Sequence, residues 1–201
     1  MISYEGGIKF EGKVVNGNVV FFQNTGKDII DWLWSYGQNR FSPVNLDHFR
    51  SIGLETNLVF RFNNANSINP VQTLTINYLF MHIDKSVNDS VSKYDHLRNK
   101  LSISLRHRVY RHVEAIWSIS YQDRVGELIA FNTSESAYYT TPYKPYWLLD
   151  GTLNWNLRHL VLFASISNIL DTNYTDAGSV SQPGRWFKAG IALKLGKRED
   201  M

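Results

Sequence analysis

The chain has 201 residues, enough for one sizeable domain or a large piece of something bigger. Aromatic residues reach 14% while charged residues stay at 19%, and 21 Lys plus Arg barely exceed 18 Asp plus Glu. A net charge of +3 without a basic run or stacking motif argues against a nucleic-acid partner, and the absence of cysteine excludes disulfides, thiolate metal sites and a cysteine nucleophile.

The opening "MISYEGGIKFEG" has neither the basic start nor the apolar centre of a signal peptide. Its alternation sets Tyr4, Ile8, Phe10 and Val14 against Glu5, Lys9, Glu11 and Lys13, which predicts a strand over 4–14. Asn16-Gly17-Asn18 is the strongest hairpin signal in the chain, and a less regular strand follows over 18–33. Period two returns at 54–62, where Leu54, Leu58, Phe60 and Phe62 oppose Glu55, Asn57 and Arg61, and again at 73–80 and 100–106. Over 113–122, Val113, Ala115, Trp117, Ile119 and Tyr121 face away from Glu114, Ser118, Ser120 and Gln122. The segments 149–157, 160–170 and 187–195 complete a count of about nine long antiparallel strands.

Connections alternate in length along the chain. Short ones fall at 16–18, 63–70, 110–111 and 158–159, and long ones at about 35–45, 84–95, 126–144 and 171–184. Short turns at one end of a sheet and long loops at the other describe a transmembrane β-barrel wall, an up-and-down all-β meander. Strands of ten or more residues suit a bilayer, and rings near strand ends, among them Trp32, Trp34, Tyr36, Tyr78, Phe80, Tyr110, Tyr121, Tyr146, Trp186 and Phe187, suit its interfaces. Alternation alone is equally compatible with a soluble ligand-binding β-barrel, which would bury Leu101, Ile103, Leu105 and Trp117. Several copies forming a passive pore is a third reading.

No catalytic residues emerge. Glu114 and Asp123 lie nine apart, hence on opposite faces of a strand, and neither a nucleophile elbow nor a phosphate loop is present. His107 and His112, with Arg106, Arg108 and Arg111, read as a solvated basic turn or as a metal or phosphate site; the solvated turn is preferred, and no metal or cofactor is assigned. Tyr138, Tyr139, Tyr143 and Trp147 in "YYTTPYKPYW" offer flat amphipathic surfaces for a ligand, or belong to the interfacial belt.

The tail carries a compound motif: Asn168, Ile169, Leu170, Asp171 and Tyr174, a variable loop, then Pro183, Gly184 and Arg185 before a last amphipathic strand. This resembles the C-terminal end of the TonB-dependent receptors, and "YEGGIKFEG", "NLDHFRSIGLE" and "LRHRVYRHVEAIWSISYQDRVG" extend the resemblance upstream. The motif residues read as architectural, because Asp171 and Asn173 form turns and Pro183-Gly184 bends the chain ahead of the strand.

The resemblance implies a Gram-negative outer-membrane receptor for a scarce nutrient of the iron-chelate, corrinoid or glycan class. It implies lipid around the wall, and further barrel strands and a plug as partners, with TonB reached only through that plug. Residues 1–196 are expected to be a C-terminal barrel segment, about two-fifths of a 22-strand wall, and 197–201 a polar tail. Such a segment is expected not to carry out energised uptake alone.

Overall fold

The computed structural model describes residues 1–35, 38, 40–46, 48–62, 70–86 and 95–194. Its strands are β1 (Ile2–Glu11), β2 (Val15–Gly26), β3 (Ile29–Ser35), β4 (Arg40–Leu46), β5 (His48–Arg61), β6 (Val71–Ser86), β7 (His96–Tyr110) and β8 (Val113–Val125). They continue as β9 (Glu127–Asn132), β10 (Ala137–Pro142), β11 (Tyr146–Asn156), β12 (Leu160–Ser167), β13 (Thr175–Asp176), β14 (Val180–Ser181) and β15 (Trp186–Leu193). Nine of them form one antiparallel sheet in the order β1-β2-β5-β6-β7-β8-β11-β12-β15, a meander without crossovers. The expected nine-strand wall is therefore present.

The pairing carries one apolar face across the whole sheet, because directly opposed residues share a face. One row runs Ile8, Val19, Thr56, Tyr78, Leu101, Tyr121, Trp147, and a lower one Val15, Phe60, Leu74, Leu105, Trp117, Gly151, Ile166, Phe187. The opposite face is polar, with Asn57 donating to Asn77, Ser118 Oγ to Ser104 Oγ at 3.3 Å and Thr152 Oγ1 to Ser165 Oγ at 3.0 Å.

Almost nothing apolar is buried. Among the described residues the buried hydrophobic side chains are Leu46, Ala115 and Tyr143, whereas Ile8, Phe21, Trp117, Trp155, Phe187 and Ile191 are exposed. Leu101, Ile103 and Leu105 are only half-buried and Trp117 is 44% exposed. A soluble barrel required all four inside, and the sheet as described encloses none of them. On β11, Trp147 and Trp155 share that face eight residues apart, about 27 Å along the strand and about 20 Å along a membrane normal at barrel tilt. Two aromatic levels at that separation fit the apolar band of a membrane barrel.

The first hairpin corrects the sequence reading. Asn16, Gly17 and Asn18 lie inside β2, paired with Glu11, Phe10 and Lys9, and the turn is at Gly12–Val14, closed by Gly12 N donating to Val15 O at 2.9 Å. Gly17 serves close approach instead: a Cβ there would meet Asn57 O, Leu58 Cδ2 and the Phe10 ring, the latter two at 2.9 Å. The aromatic ring covers the glycine and the strand stays paired on both sides. The segment 18–33 is likewise split, β2 ending at Gly26 and β3 starting at Ile29.

The remaining short turns, at Arg111–His112 and at Leu157–His159, lie at the same end as Gly12–Val14. The long connections are folded further: β3 pairs with β4, β9 with β10 and β13 with β14. Residues 63–69, most of 84–95, Tyr36, Leu195 and the tail 197–201 lie outside the described residues.

Candidate functional site

The long-loop end begins where the apolar face stops. The row Tyr121–Leu101–Tyr78 is followed one step outward by Asp123 opposite Asn99. Asp123 is buried, and it accepts from Arg98 Nη2 at 2.7 Å and from Asn99 Nδ2 at 3.1 Å, while Tyr78 Oη donates to Asn99 Oδ1 at 3.0 Å. A carboxylate at this height is stable because three donors surround it or its partner.

One residue on, Arg124 joins three separate connections. Its Nη1 donates to Asp95 Oδ1 at 2.7 Å, and its Nη2 to Asp176 Oδ1 at 2.8 Å. Tyr143 Oη donates to the other oxygen of Asp95 at 2.7 Å, and the Tyr143 ring lies 5.7 Å from the guanidinium carbon. Ile129 N donates to Ser179 Oγ at 2.8 Å, tying β9 to the turn before β14. Gly126 makes room for this meeting: at φ +122 it passes within 2.9 Å, measured from an ideal Cβ, of the Asp95 backbone. Burial, reinforced by the Asp95 carboxylate, pushes the Tyr143 hydroxyl up to about 12. Tyr174, its ring tilted against Tyr146 at 4.5 Å, is raised in the same way by burial and by the charges of Asp176 and Asp150.

The tail motif builds the neighbouring corner. Asn168, buried and at φ +51, accepts from Thr172 N at 2.9 Å through Oδ1 and donates through Nδ2 to Thr172 O at 2.9 Å and Pro183 O at 3.5 Å. Its own N–H donates to Asp150 Oδ1 at 2.8 Å. Asp171, at φ +54, accepts from Arg185 N at 2.8 Å, and its carboxylate abuts Gly184, where a Cβ would sit 2.9 Å from Oδ1. Tyr174 closes the loop by accepting from Gln182 N at 3.0 Å through its carbonyl.

The four aromatic ligand candidates are not brought together. Tyr138 and Tyr139 are half-exposed neighbours on β10, hence on opposite faces of its hairpin, with Tyr138 edge-on to Phe131 at 5.1 Å. Tyr143 is buried beside Arg124, and Trp147 packs on Tyr121 at 4.9 Å on the apolar face. Sequence reasoning missed Arg124, Asp95 and Asp176. The available signal was Asp123-Arg124, where a charged pair interrupts a long apolar series. His107 and His112 separate too: His107 accepts from Trp117 Nε1 at 3.1 Å, and His112 is on the turn. No group of metal-ligating side chains occurs among the described residues.

Comparison with known proteins also returns a β-barrel wall. The family model described as TonB dependent receptor-like, beta-barrel, matches residues 1–169. The chain belongs to this family. The family comprises receptors and transporters, not enzymes.

Solved structures agree in fold. The FrpB iron transporter from Neisseria meningitidis superposes with a TM-score of 0.67 at 15% identity, over 94% of this chain and 30% of its own. The pyoverdine outer membrane receptor FpvA from Pseudomonas aeruginosa gives 0.68 at 14%, over 96% and 29%. The siderophore receptor PirA from Acinetobacter baumannii gives 0.67 at 15%, over 94% and 31%. The chain thus spans about three-tenths of the length of these receptors. No curated protein matches the sequence.

Proposed function

We propose that the chain is wall and outer loops of an outer-membrane receptor that captures a scarce nutrient, an iron chelate in preference to a corrinoid or a glycan. The observation that carries this reading is the long-loop end, where Arg124 gathers three connections into one polar rim, while the described turns at the other end, at 12–14, 111–112 and 157–159, are tight. A ligand would meet that rim, the Tyr138 and Tyr139 hairpin and the polar inner face. The iron-transporter and siderophore-receptor descriptions of the structural relatives favour iron among the nutrients. In the sheet as described, β1 and β15 each pair on one side only. Unpaired edges are not viable in lipid, so further strands would close the wall, and uptake would need a plug driven by TonB.

The test is uptake by the native cell of radioiron chelates, labelled cobalamin and labelled oligosaccharide, with and without deletion of residues 113–156. Loss of energy-dependent iron uptake alone is expected. Unchanged iron uptake, or loss confined to cobalamin or oligosaccharide, would overturn the iron assignment.

A further inference from the structure

At the short-turn end, the apolar face carries a notch whose floor is Ala115, Gly151 and Ala164 and whose walls are Trp117, Leu153 and Phe187, almost wholly apolar. The Trp117 wall is fixed. Its ring covers Gly151, where a Cβ would sit 2.9 Å from Cζ3, and its indole N–H is held by His107. Side chains on a lipid-facing surface usually fill it evenly; here three small residues in adjoining strands leave a slot beside a positioned indole.

The rim below the slot is cationic. Arg111 and His112 form one turn and Arg158 and His159 the next, all exposed. Asn156 N donates to His112 O at 2.7 Å and Lys194 N to His159 O at 2.9 Å, so the two turns and the end of β15 stand side by side. Lys194 Nζ reaches Leu157 O at 3.4 Å. No acidic residue lies in these turns among the described residues. The nearest, Glu114, is on the polar face and accepts from Gln72 at 3.0 Å.

We propose that this rim and slot bind one anionic phospholipid of the short-turn leaflet, its phosphate at Arg111, Arg158 and Lys194 and an acyl chain in the notch. Charge selects the headgroup, since basic side chains at a membrane boundary favour anionic lipid by about fivefold each. Geometry selects the chain: Ala115 and Trp117 lie three and five residues from His112, about 10 and 17 Å along the strand and so about 7 and 12 Å deep at barrel tilt, within the ~15 Å depth of one leaflet. The proposal rests on the membrane placement of the preceding subsection.

The test uses the closed receptor, this chain with the further strands that complete its wall, taken from the native outer membrane into phosphatidylcholine vesicles that contain either brominated phosphatidylglycerol or, in a matched arm, brominated phosphatidylcholine. Bromine quenches tryptophan on contact, and Trp117 and Trp155 are the indoles near this rim. Stronger quenching by the glycerol lipid at equal mole fraction is expected, with about fivefold weaker apparent binding for each of Arg111→Gln, Arg158→Gln and Lys194→Gln. Trp117→Phe keeps every cation and is expected to remove most of the excess. Equal quenching by the two lipids, or an excess that survives either the triple charge variant or Trp117→Phe, overturns the site. Quenching by neither lipid overturns the membrane placement as well, which separates the two failures.

Discussion

The two ends of the sheet close adjacent strands by opposite means. At the short-turn end the described turns at 12–14, 111–112 and 157–159 reverse the chain in two or three residues with backbone bonds, such as Leu157 N to Leu160 O at 2.9 Å, and leave their charged side chains exposed. At the long-loop end the reversals are held by side chains: Asn168 and Asp171 bind backbone groups of their own loop, and Arg124 binds carboxylates from two others. A turn made of backbone bonds survives most single substitutions. A loop hung on one side chain does not, so the ends should differ sharply in sensitivity to mutation.

The largest expected effect is at Asn168. Asn168→Ala removes two good side-chain bonds, at about 1 kcal/mol each, and places alanine at positive φ, about 1 kcal/mol more. A loss of roughly 3 kcal/mol is expected in detergent unfolding, with Asn168→Asp intermediate because it keeps the acceptor for Thr172 N and loses the donor. Arg158→Ala on the opposite turn should change stability by less than about 0.5 kcal/mol. Equal effects at the two positions would remove the contrast between the ends.

Arg124 comes next. Arg124→Met leaves Asp95 and Asp176 without their cation, but both carboxylates are partly exposed, so about 1–2 kcal/mol is expected in place of the larger figure for a fully buried pair. The more telling readout is local. Limited proteolysis should cut 126–145 and 171–184 faster while the sheet stays intact. Arg124→Lys should not restore resistance, because one ammonium cannot hold two carboxylates from separate loops in the same geometry.

The wall was legible in the sequence because a sheet with one apolar and one polar face imposes alternation on every strand. Leu101, Ile103 and Leu105 could be assigned to a face without coordinates. The Asn16-Gly17 turn was misplaced because glycine has two uses, and the pairing of Gly17 beneath the Phe10 ring depends on a partner strand that local reading does not see. The bonds of the tail motif's side chains are mostly local: the Asn168 amide reaches Thr172 and Pro183. Those of Arg124 could not be read from the sequence, since Asp95 and Asp176 lie 29 and 52 residues away and no periodicity links them. Tyr143 and Trp147 were grouped by being close in sequence, yet one turns to a charge network and the other to the apolar face.

The smallest expected effect sharpens that last contrast between two rings four residues apart. Tyr143 donates to Asp95, so Tyr143→Phe removes one partly buried hydrogen bond, about 1 kcal/mol at neutral pH. Its pH dependence carries a definite sign. The hydroxyl is raised from 10.0 to about 12 in the folded chain, so between these values the folded state holds a proton that the unfolded state has lost. The contribution is therefore complete below pH 10 and is lost as pH rises through about 12. Tyrosinate absorbance of the folded chain should show a late-titrating phase that Tyr143→Phe diminishes by one group, while Trp147→Phe, altering only the apolar face, leaves the phase at full amplitude. If Tyr143→Phe leaves the amplitude of the late phase undiminished, the hydroxyl is not held by Asp95, and the polar rim loses the contact that joins the 126–145 connection to the one ending at Asp95.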